Sequence, residues 1–210
     1  MPHYDRGDPP QNVQDVLRFL REELTRIEAY THAPRTEGAW DDLRFPAQAI
    51  ETGANAPTWN STYGGLDFHN SNDNDIQCVA QMPHAWRQGT NIRPHIHWQV
   101  LPGAALGTAA VVWEFCYVWR NNGEVQGAQT CHTITVTPTA SSTLALMITS
   151  FPELDGTGKN ISSILDIKVS RLAASDPGDT LSGTKANLKE FDIHYLTDSF
   201  GSDKEYIKGP

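Results

Sequence analysis

Near residue 65 the hydrophobic period of this chain becomes two, and that change limits its fold more than any motif does. From there apolar residues alternate with polar ones in eight runs, at 65–69, 75–82, 93–101, 108–120, 129–137, 143–150, 161–172 and 187–197. Strict alternation predicts strands, because successive side chains of a strand point to opposite faces. Turn-forming clusters separate the runs, among them "HNSNDND", "LPGAALG", "NNGEVQG" and "SDPGDTLSG". No stretch of helical period interrupts them, so a parallel sheet with helical crossovers is excluded and an antiparallel sandwich or barrel is required. The count and the loop lengths suit a jelly roll. The expected class is therefore mainly β, an antiparallel jelly-roll-like β-sandwich, with one N-terminal α-helix.

The alternation also assigns inner faces. In "TAAVVWEFCYVWR", Val111, Trp113, Phe115, Tyr117 and Trp119 share one aromatic face, and Val112, Glu114, Cys116, Val118 and Arg120 share the other. Apolar residues on both faces predict a central strand whose second side makes subunit contacts. Leu165, Ile167 and Val169 are expected inward, as are Phe191, Ile193 and Tyr195. Most of the six tryptophans lie at core-period positions, which favours packing over sugar stacking.

Before residue 65 the pattern differs. Asp8-Pro9-Pro10-Gln11 offers a helix N-cap, a proline at the first helical position and a Gln at the third. Val13, Leu17, Leu20, Leu24 and Ile27 follow at spacings of 4, 3, 4 and 3, and Pro34 closes the helix. This is a short heptad seam with Leu at a and Val, Leu and Ile at d, broadened by Val16 and Phe19. Two readings stay open: an amphipathic helix packed on its own domain, or a small parallel bundle between subunits. Leu at a with Ile at d leans toward three or four strands. In a parallel dimer Glu23 would face Glu28, which disfavours that register. Three regions result: an arm and helix at 1–34, a candidate trimeric stem; an extended connector at 35–64, with a strand in "LRFPAQAIE" confined to an edge or strand start by Pro46; and the β-sandwich at 65–210 with a polar tail.

Composition excludes several functions. The net charge is −9 and no basic stripe is present, so nucleic acid is not an expected partner. No apolar run is long enough to span a bilayer, and the N-terminus lacks the apolar core of an export signal. Cys78, Cys116 and Cys131 form no CxxC pair. Cys78 and Cys116 are expected as buried free thiols, which fits assembly in a reducing cytoplasm. The motifs of serine hydrolases, P-loop enzymes, zinc proteases and dinucleotide-binding enzymes are absent, so no cofactor and no catalytic residues are expected. Asp41-Asp42 and Asp73/Asp75 are expected in or beside loops as solvated acids.

His95 and His97 pose the one metal question. With Ile96, Trp98 and Val100 inward, both histidines share the outer face with Gln99. Gly89, five residues, then His-x-His matches the opening of the cupin metal motif, but the carboxylate that should follow is replaced by Leu101 and Pro102. The reading preferred here is a polar ladder on a sheet face or at a subunit interface. The alternative is a site improvised from His95, His97, His132 and Glu114, which would make the protein a cupin-like metal enzyme.

Three segments together carry a resemblance. "AWDDLRFPAQAIETG", "QMPHAWRQGTNIRPHIHWQV" and "FDIHYLTDSFGSDKEYIKG" are similar to a family of tailed-bacteriophage structural proteins. Its hallmark is W-D-D-L-R-x-P followed by P-H-x-W-x-x-G-T-x-I-x-P-H-x-H-W, over residues 38–207. The resemblance implies a virion component and not an enzyme, assembled in the host bacterial cytoplasm. The expected role is a homotrimeric head-decoration or head-fibre protein bound to the major capsid protein. A neck or tail fibre that meets neck or tail proteins, or a host-surface glycan, is the alternative. The arm at 1–12 and the tail at 197–210 are expected to reach over neighbouring subunits.

Overall fold

In the computed structural model, residues 13–32, 38–103, 106–139, 143–198, 201–202, 204–206 and 208 are described. One helix, α1 (Val13–His32), precedes eleven strands: β1 (Ala39–Pro46), β2 (Glu51–Thr52), β3 (Thr58–Trp59), β4 (Leu66–Phe68), β5 (Asn74–Gln81), β6 (Arg93–Val100), β7 (Val111–Arg120), β8 (Thr130–Val136), β9 (Met147–Ser150), β10 (Ile164–Arg171) and β11 (Ala186–Thr197). The last eight correspond one to one with the eight alternating runs.

They form two sheets, and every ladder between strands is antiparallel. The first has the order β3-β4-β11-β6-β9, with β1 also on β11, and the second β2-β5-β10-β7-β8. From β4 onward the chain crosses between sheets at almost every connection, giving four-strand cores β4-β11-β6-β9 and β5-β10-β7-β8. That order is a jelly roll.

The core is aromatic, as the alternation requires. Trp98, Trp113, Phe68, Phe115 and Phe191 are fully buried. Trp113 meets the edges of Trp98 and Phe68 at ring-centroid distances of 5.4 and 5.0 Å, and Phe115 stacks on Phe151 and Phe191. Such pairs add to the area they bury. Three of the buried indole N–H groups find hydroxyls: Trp86 donates to Thr90, Trp98 to Thr149 and Trp119 to Ser163. Leu165, Ile167, Val169, Phe191, Ile193 and Tyr195 all face inward as expected.

One irregularity sets the phase of β11. A bulge between Leu188 and Glu190 inserts one residue into its ladder with β6. Ala186 and Leu188 face the core before it, and Phe191 and Ile193 after it. The even-numbered residues Asp192 and His194 are thereby turned to the outer face. The bulge is held from outside, because Lys189 donates to the carbonyls of Tyr63 and Gly64. Gly65, with φ of +98°, lies so close that a Cβ would meet the Leu188 oxygen at 2.2 Å; only glycine fits there.

Several expectations need correction. Residues 35–64 are not merely a connector. The whole of β1 pairs with β11, and Leu43 and Phe45 pack on the core, so the sandwich begins at Ala39. Its signal was weak because an edge strand buries one face only partly; Pro46 stands at the strand's end, where an edge tolerates it. Asp41 and Asp42 lie within β1, not in a loop. Cys116 is not a free thiol: it lies opposite Cys131 across the β7–β8 ladder and the two are disulfide-bonded. Cross-strand neighbours are far apart in sequence terms only, and nothing in the spacing marks them. Cys78 alone is free. Val112, Cys116 and Val118 are already buried within the single chain, so this side of β7 needs no second subunit to cover it. The described part of the tail lies against the body, with Ser202 bonded to His84 and the Lys208 amide donating to Gln88. The arm at 1–12 lies outside the described residues.

Candidate functional site

Two features stand apart from the core packing. The first is α1. Val13, Leu17, Leu20, Leu24 and Ile27 are 44–72 % exposed, and Val16 and Phe19 are 40 and 52 % exposed. The apolar seam therefore does not pack on its own sandwich. Its polar flank is laced by Arg18–Glu22 and Arg26–Glu23 pairs, which contribute little at such exposure.

The second feature is a histidine–aspartate cluster on the outer face of the first sheet. It arises from three adjacent strands in the order β1-β11-β6. The ladders set Asp42 opposite His194 and Asp192 opposite His95. With period two, Asp42 and Arg44, then Glu190, Asp192 and His194, then His95 and His97 share one surface. Despite facing outward, His95 and Asp192 are only 3 and 4 % exposed, because the surrounding side chains close over them.

The contacts are specific. His95 Nδ1 lies 3.4 Å from the Arg93 carbonyl oxygen, and its Nε2 touches Asp192 Oδ1. His97 Nε2 donates to Asp192 Oδ2 at 3.1 Å. His194 Nε2 lies 3.0 Å from Asp42 Oδ1. The His95 ring lies 4.1 Å from that of His194 and 5.0 Å from that of His97, centroid to centroid. Burial disfavours a charged His95, yet the Asp192 carboxylate lying against its Nε2 outweighs that, with help from the Arg93 carbonyl and Asp42. His95 is therefore held above its ordinary pKa. The rim is made of paired charges: Arg44 grips Glu190 through two bonds of 2.7 and 2.8 Å, and Arg93 pairs with Glu153 while stacking on Trp40. A second polar chain, Asp67–Asn187–Gln99, continues the same face beyond the bulge.

The residues considered for a metal from sequence divide between the two sheets. His95 and His97 are together. Glu114 and His132 belong to the other sheet, where Glu114 lies beside the Cys116–Cys131 bond and His132 stacks on Tyr117. The four do not converge. Asp192 and His194 take the place of Glu114 and His132, with donor atoms of His95, Asp192 and His194 all within 4.8 Å of one another. The sequence did hold a signal, since "FDIHYL" puts Asp192 and His194 on the outer face. What it lacked was the pairing of β11 with β6.

No family model matches this chain, and no curated protein does. Among solved structures it is similar to the CBM36-1 domain of a multidomain xylanase from the hindgut metagenome of Trinervitermes trinervoides. The TM-score is 0.40 at 10 % identity, over 73 % of this chain and 96 % of that one. It is also similar to the C-terminal family 22 carbohydrate-binding module of Clostridium thermocellum Xyn10B, with a TM-score of 0.35 at 13 % identity, over 75 and 85 % of the two chains. These likenesses go no further than the sandwich architecture read above from the strand order. Among the described residues no helix is long and apolar enough to cross a membrane.

Proposed function

We propose that this protein is a structural component of a tailed-bacteriophage particle that assembles as a homotrimer through α1. The observation that carries the reading is the helical seam, left exposed by a domain that has already closed its own core. Leu17 and Leu24 at a, with Val13, Leu20 and Ile27 at d, suit a parallel bundle of three or four helices. The hallmark segments at 40–46 and 83–98 supply the link to the phage family, and most of their residues build β1, β6 and the turn that leads into β6. In this reading the work is cohesion and display, not catalysis. Three linked jelly rolls bind major capsid subunits with an avidity that no single contact has, because the second and third contacts are intramolecular. The Cys116–Cys131 bond suits a particle that assembles in the cytoplasm and is then released, closing once it meets an oxidising medium.

A neck or tail fibre that meets host glycans is the second reading, and Trp59 favours it. This tryptophan is 47 % exposed on the short edge strand β3, where a flat ring can stack on a sugar. Native mass measurement of the full chain at micromolar concentration tests the shared claim. A trimer is expected, and a monomer would overturn it. Capsid and portal genes flanking the coding sequence, or tail genes in their place, would divide head from tail, and retention on a glycan array would favour the fibre.

A further inference from the structure

The geometry points to a divalent-cation site of the zinc type on the outer face of the first sheet, with His95, Asp192 and His194 as its ligands. It stands on the cluster itself and is independent of the oligomeric state.

A neutral imidazole carries a single N–H. Both ring nitrogens of His95 face oxygens, the Arg93 carbonyl at Nδ1 and Asp192 at Nε2. A charged ring donates to both oxygens and closes an ion pair, whereas a neutral ring that donates to the carbonyl turns the lone pair of Nε2 toward the carboxylate. A cation between them removes that repulsion and binds both.

Asp192 Oδ1 is buried and has no hydrogen bond of acceptable geometry, and the Asp192 side chain is only 6 % exposed. An orphaned carboxylate oxygen in the interior is costly. Its twin, Oδ2, is occupied by His97. The unserved atom is the one that faces His95.

Ligating histidines usually donate their second N–H to a carbonyl or carboxylate, which fixes the tautomer and leaves the other nitrogen free for the metal. That arrangement is present at both rings. The Arg93 carbonyl stands 3.4 Å from Nδ1 of His95, on the side away from Asp192, and the Asp42 carboxylate stands 3.0 Å from Nε2 of His194, which leaves Nε2 of His95 and Nδ1 of His194 for an ion. His97 plays the corresponding role for Asp192. The inner ends of His95 and Asp192 face each other, so an ion would enter between them. Two imidazoles and one carboxylate are borderline donors that suit zinc and its first-row neighbours, with metal–ligand bonds of about 2.0–2.2 Å. The three donor atoms, already within 4.8 Å of one another, need only small side-chain shifts to share one ion. Because β6 and β11 each supply ligands, the ion would also clip together strands about 95 residues apart in sequence.

The test uses the full chain, stripped with a chelator and titrated with Zn2+ against a chromophoric competitor, and with Co2+ followed by visible absorption. Wild type and the control H132Q should each bind one ion per chain, with a cobalt spectrum of nitrogen and oxygen ligation. D192N and H194Q should weaken binding about tenfold or more. His194 is half-exposed, so H194Q keeps the test decisive where D192N fails to fold. Wild type that takes up no stoichiometric ion, or H194Q with wild-type affinity, would overturn the site and leave a buried histidine–aspartate ion pair.

Discussion

Replacing Leu17 and Leu24 together by Asp separates the two structural units of this chain. In the single chain Leu17 is 44 % and Leu24 57 % exposed, so about half of each side chain is still available for burial. Full burial of a leucine is worth about 1.5–3 kcal/mol, which leaves about 1 kcal/mol per position for association. Two positions in each of three chains make about 6 kcal/mol of lost burial, before the cost of crowding six carboxylates into a seam. At about 1.4 kcal/mol per factor of ten, the assembly constant should fall by about four orders of magnitude. Sedimentation velocity over a dilution series reads the assembly. Urea unfolding followed by tryptophan fluorescence reads the sandwich, since Trp86, Trp98, Trp113 and Trp119 are all buried in it. The double variant should sediment as a monomer while its unfolding free energy stays within about 0.5 kcal/mol of wild type, as for a surface change. A variant that sediments like wild type would refute the stem. One whose sandwich unfolds more easily would show that α1 packs against its own domain after all.

Three further outcomes are expected. Arg171 is fully buried, paired with Asp179 through bonds of 2.9 and 2.8 Å and bonded to the carbonyls of Phe68 and Leu181. Asp179→Leu should therefore cost about 3–5 kcal/mol, or about 10 °C in thermal midpoint, by leaving that cation unmatched; a loss under about 1 kcal/mol would contradict the pairing. Burial pushes the Cys78 thiol up to about 12, so a thiol reagent at pH 8 should leave the native protein unlabelled. In urea it should find one thiol without reductant and three after reduction; three without reductant would deny the Cys116–Cys131 bond. Asp73 accepts the amides of Ala174 and Ser175 at 2.8 and 3.1 Å, and although burial pushes its carboxyl up, those bonds hold it below the ordinary value. A depressed carboxyl contributes stability that is complete above its unfolded pKa and lost as pH falls through the folded one. Asp73→Ala should accordingly cost about 1–2 kcal/mol at pH 7 in urea unfolding and progressively less as the pH falls below about 4; an equal gap at pH 7 and pH 2 would refute the linkage.

Much of the sandwich was legible because alternation is a local property. The eight runs from residue 65 each became a strand, and the inward residues of β7, β10 and β11 followed from period two alone. Elements with a weak alternation escaped. β1 buries no residue fully and packs only Leu43 and Phe45 on the core, and β2 and β3 are two residues long, so "AWDDLRFP" and its neighbours read as a connector. The heptad seam was equally plain in sequence, but whether its own domain would cover it was not. In the single chain the jelly roll closes a core to which the seam residues of α1 do not belong.

The metal question divides in the same way. The sequence by itself determined that His95 and His97 share a face with Gln99 and that Asp192 and His194 share a face with Glu190, because each pair lies within one strand and side chains alternate at every step. Which pair meets which carboxylate was decided by the tertiary structure. His95 faces Asp192 because the jelly-roll order lays β11 beside β6, and a bulge at Leu188 turns the even-numbered residues outward. Glu114 and His132 were as good a choice by chemistry, and they lost because β7 and β8 were drawn into the opposite sheet. Strand pairing is a long-range bargain struck over the whole core, so no local pattern around either histidine could have revealed its partner.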